Sequence, residues 1–183
     1  NAGDGPHEHP SQALLDLYTI ERELGRIDGL SIALVGDLAN GRTVHSLCRM
    51  VSSYDHVRLY LVSPEVTRMR PDVLEHLRAH DVSYRETDDL VSVAGEVDVL
   101  YQTRVQKERF ANPDDYHRAR GVYVVDGALM ERLRPHAIVL HPLPRVDEIA
   151  PDVDADPRAA YFRQARNGLF VRMALLKMLL ARQ

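Results

Sequence analysis

His9 and Gln12 stand in "HEHPSQ" (7–12), with a proline between them where a helix would begin. One turn of helix aims both side chains the same way, and the free N–H groups of a helix start favour anions. Alone, the stretch reads more simply as a capping turn. A second segment, "LVGDLANGRTVHSL" (34–47), delivers Arg42 just beyond an apolar run. It is not a dinucleotide loop: Gly36 and Gly41 do not fit G-x-G-x-x-G, and no acid ends the next apolar run to hold a ribose. Arg42 is either a loop cap or a two-pronged donor for a carboxylate or phosphate. The third segment, "YQTRVQKERF" (101–110), carries Arg104 and Gln106 on one side if extended, followed by Lys107, Glu108 and Arg109. A solvated charged loop is the plain alternative. Fourth, "HPLPR" (141–145) ends another apolar run. Pro142 and Pro144 fix φ and restrict their neighbours. Leu143 is therefore expected to be extended, with backbone acceptors held rigidly enough to grip an amide NH2. The alternative is a strand terminator whose Arg145, Asp147 and Glu148 form a local ionic set.

Four such segments need a scaffold that brings them to one place. Six short stretches read as strands: 30–36, 57–63, 82–87, 98–103, 122–126 and 137–141. Several are unbroken runs of Val, Ile, Leu and Tyr, which suit strands covered on both faces. Helical patterns lie over 10–24, 42–54 and 71–80, the last with Pro71 at its first position. The alternation predicts an α/β domain of three layers, Rossmann-like, with a mainly parallel sheet of about five strands, right-handed crossovers and helices on both faces. Ligands of such sheets sit beyond the carboxyl ends of the strands. That rule points to the residues after Gly36, Thr103 and His141. The segment 151–160 is a polar, acidic connector. The tail, 167–183, reads as a helix capped by Asn167 and apolar around most of its circumference, as buried helices are.

Composition narrows the class. The chain has 183 residues, 45% hydrophobic and 27% charged, enough for one domain with a single core. A formal net charge of -4 argues against general nucleic-acid binding. Cys48 is the only cysteine, so there is no intrachain disulfide and no Cys-rich metal site; a reducing compartment fits. No apolar run approaches the ~20 residues of a membrane span. The opening "NAGDGPHEHP" has neither Met nor the apolar stretch of a signal peptide, which is compatible with an excised piece.

Together the segments are far more specific than any one of them. "NAGDG..HP.Q.LLDL.TI", "VGDL..GRTVHSL", "TRVQKERF", "HPLPRVDEI" and "DPRAAYFRQA.NGLF.RMALL" resemble, in this order, the aspartate carbamoyltransferases. The match is to the second, aspartate-binding half of that catalytic chain. The resemblance implies transfer of a carbamoyl group from carbamoyl phosphate to the amine of L-aspartate in pyrimidine synthesis, with no metal or organic cofactor. It implies that His9 donates to the carbamoyl oxygen and Gln12 holds the carbamoyl amide. Leu143 and Pro144 supply backbone carbonyls to that amide. Arg42 and Arg104 take the aspartate carboxylates with help from Gln106. Glu108, Arg109 and Arg145 brace a mobile loop and domain closure.

The resemblance also implies what is elsewhere. The family's phosphate-binding Ser-Thr-Arg-Thr loop, and a lysine from a neighbouring subunit, belong to a first half that has no counterpart in this sequence. The chain is thus expected to be one domain, 1–183, of a homotrimeric enzyme, inactive alone, in the cytoplasm or, if plant-derived, the plastid. "GDLANGRT" and "YQTR" stand where many members have "GDLKYGRT" and "YMTR". That pairing is similar to plant-type enzymes, simple trimers without regulatory chains. The rivals are ornithine carbamoyltransferase, whose turn typically reads "HCLP" rather than "HPLP", and a non-catalytic homologue kept as a scaffold.

Overall fold

A computed structural model describes residue 3 and residues 8–181. Apart from Gly3, the "NAGDG" opening lies outside the described residues, as do Arg182 and Gln183 at the end of the expected tail helix. Five strands form one sheet, all parallel, in the order β3-β2-β1-β4-β5. They are β1 (Ser31–Val35), β2 (Arg58–Val62), β3 (Ser83–Thr87), β4 (Val99–Gln102) and β5 (Ile138–Leu140). Helix α1 (Pro10–Leu24) precedes β1. Helices α2 (Arg42–Val51), α3 (Pro71–Ala79) and α4 (Leu90–Ala94) occupy the next three connections. α5 (Pro113–Ala119) and α6 (Gly127–Arg132) lie between β4 and β5, and α7 (Tyr161–Leu180) closes the chain.

The unbroken apolar strands have the two-sided burial their composition demands. Ile32, Leu34, Leu59, Leu61, Val99 and Tyr101 enter one core with α1, α2 and α3. Their alternates, Ala33, Val35, Tyr60, Val62 and Leu100, enter a second core with α4 and α6. Strand order runs outward from β1 to β3, then jumps back to place β4 against β1. The crevice between the carboxyl ends of β1 and β4 is therefore the topological switch point, where such sheets bind ligands.

Three expectations need correction. The stretch 122–126 is not a strand of this sheet. Val125 makes a single bridge, to Ile149, while Tyr123 and Val125 point into the second core. The free edge of β5 is already taken: Val139 N–H donates to Arg158 and Ala160 N–H donates to Val139. The tail helix starts at Tyr161, directly after that bridge, so Asn167 is no cap. It lies mid-helix and buried, its Nδ2 donating to Thr19 Oγ1 at 3.0 Å. Finally, Leu143 is not extended. Its φ is +52°, and the Leu143–Pro144 peptide is cis.

The switch point is closed tightly at Gly36, with φ +112° and space for no side chain. A Cβ there would stand 2.7 Å from Thr103 Oγ1 and 2.8 Å from Thr103 O. Gly36→Ala is expected to cost about 3 kcal/mol, from the disfavoured φ and the clash together. Urea unfolding measures it; a loss below about 0.5 kcal/mol would contradict this account of the turn.

Candidate functional site

At the switch point a cleft of about 170 Å³ opens, lined by His9, Gln12, Gly41, Arg42, Thr43, Thr103, Arg104, Gln106, Arg109 and the turn His141–Pro144. Its lining includes three arginines and no carboxylate, in a chain whose net charge is -4. Such a local excess draws anions to a wall that the whole molecule's charge would not. Among the described residues, no group of three or more His, Cys, Asp or Glu side chains could hold a metal ion.

Each lining residue has a local reason for its place. His9 precedes α1, whose Pro10 occupies the first turn without needing a donor. His9 N–H donates to Ser46 Oγ of α2 at 2.8 Å, and Arg49 Nε pairs with Glu8 Oε1 at 2.9 Å. These contacts tie the start of α1 to α2, so His9 and Arg42 share one cleft. Arg42 opens α2 behind a turn folded by Asp37, whose Oδ1 accepts from Asn40 N and Nδ2 at 3.0 and 3.1 Å. Burial pushes the Asp37 carboxyl above its usual range, against the opposing bonds from Asn40. Gly41 is required there, since a Cβ would lie 2.5 Å from Asp37 O. On the β4 side, Thr103 Oγ1 donates to Val35 O at 2.9 Å and accepts from Asp37 N at 3.0 Å. This clasp holds the residue before Arg104 against the end of β1.

The loop after β4 is more open. Arg109 Nε donates to Gln106 Oε1 at 2.9 Å, which leaves the Gln106 NH2 group as its donor end. Glu108 lies 3.6 Å from Arg104 but is largely exposed and lines a neighbouring cavity instead. Arg145 is also outside the cleft. It forks onto Asp154, with Nη2 donating to Oδ2 at 2.6 Å, and its guanidinium stands 5.4 Å from the Tyr161 ring centre. Asp147 pairs with Arg120 and Glu148 with His141, so the local Arg145–Asp147–Glu148 set is not formed. The four segments thus meet in one cleft, while Glu108 and Arg145 lie outside it.

Several contributors had weak sequence signals. The fully buried His141 ring is the scaffold of the double-proline turn. Its Nδ1 accepts from Leu143 N–H and its Nε2 bonds Glu148 Oε1, both at 2.8 Å. Curling Leu143 back onto that ring is what takes it to positive φ. Burial opposes charge on Glu148. The His141 ring and nearby backbone N–H groups outweigh it and hold the carboxyl below its usual range. Beneath the cleft, Asp16 is fully buried and bonded to Gln12, Tyr101 and Gln164. Only its spacing from Gln12, four positions along one helix, was visible in advance.

Burial pushes the Asp16 carboxyl up to about 7, from an ordinary 3.8, although the bonds from Gln164, Tyr101 and Gln12 oppose it. The folded chain therefore holds this proton more tightly than the unfolded chain. The associated stability is fully present below about pH 4 and is lost as pH rises through about 7. Asp16→Asn cannot ionise, so its unfolding midpoint is expected to gain on that of the unaltered chain between about pH 4 and about pH 8. Thermal melts at the two pH values check this; an unchanged gap would contradict it.

The chain is similar to part of several longer proteins. The sequence model described as "Aspartate/ornithine carbamoyltransferase, Asp/Orn binding domain" matches residues 28–179. "Aspartate carbamoyltransferase 3, chloroplastic" of Pisum sativum is 59% identical over 181 residues, covering 98% of this chain and 46% of the relative. The catalytic subunit of M. jannaschii aspartate transcarbamoylase superposes with a TM-score of 0.90 at 49% identity, over 100% of this chain and 59% of that one. Aspartate transcarbamoylase from Trypanosoma cruzi, solved with carbamoyl phosphate and aspartate, gives 0.88 at 47% identity, over 96% and 58%. The chain spans about half the length of the relatives it matches. It belongs to the aspartate/ornithine carbamoyltransferase family and carries that family's Asp/Orn-binding domain.

Proposed function

We propose that this chain is the L-aspartate-binding half of an aspartate carbamoyltransferase. The observation that carries the proposal is the convergence of Arg42, Arg104 and Gln106 with His9, Gln12 and the Leu143–Pro144 turn on one small cleft. A complex of the T. cruzi relative with carbamoyl phosphate and aspartate supports this choice of substrates.

In the proposed reaction the aspartate amine nitrogen attacks the carbamoyl carbon. The new C–N bond forms, the carbonyl oxygen gains negative charge, and the amine loses a proton. Collapse of the tetrahedral centre breaks the C–O bond to phosphate, which leaves with that electron pair. Arg42 and Arg104 hold the two carboxylates of aspartate, and the Gln106 NH2 group donates to one of them. Two cationic forks suit a dicarboxylate and repel the ammonium of ornithine, which decides between the family's two amino-acid substrates. His9 donates to the carbonyl oxygen as its charge grows, a contribution of about 3 kcal/mol in comparable sites. Gln12 and the backbone carbonyls of Leu143 and Pro144 accept from the carbamoyl NH2. Arg109, Glu108 and Arg145 brace the loop and turn that close over the substrates.

Among the described residues, the arginines of the cleft are assigned to the aspartate carboxylates, so the phosphate is assigned to an amino-terminal half. On the same grounds 1–183 is one domain of a longer enzyme. The exposed apolar residues of α7, including Leu169, Met173, Leu176 and Leu180, are where that half would pack. A homotrimer is proposed for the complete enzyme, with no nucleic-acid or membrane partner. Among the described residues no helix is long and apolar enough to cross a membrane. The buried thiol of Cys48 suits a reducing compartment, cytoplasm or plastid, and the chloroplastic name of the pea relative supports the plastid.

Carbamoyl-aspartate formation tests this with the chain alone and mixed with a separately produced amino-terminal half. Activity is expected only in the mixture; none in either, with both pieces folded, would leave a non-catalytic scaffold instead. In a complete enzyme carrying this domain, Arg104→Ala should raise the KM for aspartate about 100-fold, the scale of a charged, two-bond contact. His9→Ala should lower kcat about 100-fold with little change in that KM. Equal weakening of carbamoyl phosphate binding by Arg104→Ala would contradict the division of roles.

A further inference from the structure

Behind the cleft lies a buried carboxylate, Asp16, that touches no substrate in the scheme above. Asp16 Oδ1 accepts from Gln12 Nε2 at 2.8 Å and from Gln164 Nε2 at 2.6 Å, and its Oδ2 accepts from the Tyr101 hydroxyl at 2.8 Å. The donors come from α1, α7 and β4. Both glutamine amides spend their nitrogen on one oxygen, and that fixes which way each amide's own oxygen faces. Gln164 Oε1 accepts the N–H of His141, first residue of the double-proline turn, at 2.8 Å. Gln12 lines the cleft, and with its nitrogen held from behind, its oxygen is the end presented to a ligand.

We infer that Asp16 is a positioning residue that makes the cleft selective for an acyl phosphate bearing an NH2 group. It does so by holding the Gln12 and Gln164 nitrogens, so that the Gln12 oxygen and the turn face the same amide. The inference rests on the carbamoyl-transfer proposal and adds to it the origin of that selectivity. Without Asp16, the Gln12 amide can rotate half a turn and offer its own NH2 to the ligand's NH2, donor against donor. A site whose polar groups must be matched discriminates strongly against a ligand that cannot match them. The arrangement needs only that Oδ1 accept. A protonated Asp16 can carry its hydrogen on Oδ2, where the Tyr101 hydroxyl rotates to accept it. An asparagine can do the same with its NH2.

The experiment compares carbamoyl phosphate with acetyl phosphate, in which CH3 replaces NH2, as ligands of a complete carbamoyltransferase chain carrying this domain. Dissociation constants come from calorimetry. The unaltered enzyme is expected to prefer carbamoyl phosphate. Asp16→Ala should shrink that preference about tenfold, the size of one net hydrogen bond, with acetyl phosphate binding little changed. Asp16→Asn should keep the preference within about threefold. If the alanine variant does not fold, Asp16→Ser, too short to reach Gln12, gives the same comparison. A merely structural role weakens both ligands alike, so an unchanged preference in a folded alanine or serine variant overturns the inference. An unaltered enzyme that forms no carbamoyl-aspartate overturns the functional proposal and this inference with it. Failure of the preference test in an active enzyme overturns the inference alone.

Discussion

One buried carboxylate joins the parts of this domain that must act together. Asp16 takes donors from α1, β4 and α7, and through Gln164 it reaches the backbone of the turn after β5. Removing a carboxylate from water is costly, and three hydrogen bonds offset much of that without abolishing it. Its raised pKa is the visible remainder. A hydrophobic side chain at this one position would leave the donors of Gln12, Tyr101 and Gln164 buried without an acceptor, so only an apolar cluster in place of all four would match its stability. A costly polar hub here makes sense only if orientation matters more than stability, because apolar packing fixes positions but not which end of an amide faces outward.

The second constraint is topological. A parallel sheet that reverses its winding between β1 and β4 leaves a crevice no crossover covers. The sequence places compact, specialised turns on both sides of it: Gly36 and Gly41 where side chains cannot fit, Asp37 and Thr103 as clasps. Arg42 and Arg104 then arise from two rigid bases rather than from long loops. Holding like charges together is unfavourable in a free molecule, a cost that the carboxylates of the proposed substrate would offset. The Lys107–Arg109 turn is the exception, for none of its residues is buried.

What could be read in advance followed range. Elements governed by local patterning were legible: α1 with its proline start, α3 with Pro71 and the five strands of the sheet all occur where the sequence pattern put them. Segments whose fate depends on a distant partner were not. The stretch 122–126 has strand composition, but the edge it would have joined is held by Arg158–Ala160. Asn167 has cap chemistry, but the helix begins six residues earlier because the bridge to Val139 ends there. Leu143 sits between prolines that favour an extended chain, and a buried histidine ring two residues back pulls its N–H inward instead. In the site, the residues that line the cleft were legible as motifs, while the bonds made by Asp16, Tyr101, Gln164 and His141 behind them were not. Their roles rest on contacts across 85 and 148 positions of chain for two of the bonds to Asp16.

The same logic bears on α7. Its first half is anchored by Gln164, Asn167 and Gly168 against α1, and Gly168 lets the two approach until a Cβ would stand 3.1 Å from Leu15. From Leu169 onward the apolar side chains turn outward, with Leu176 60% and Leu180 68% exposed. A helix that is buried at one end and greasy at the other is not finished by this domain. Gln164, which holds the turn of the cleft, lies on the anchored end of that same helix. A partner half packed on the outward end would therefore bear on the helix whose Gln164 holds the turn of the cleft. The phosphate site assigned to that half and the amide site of this one would then be aligned by a single rigid element, so that neither half need be precise alone.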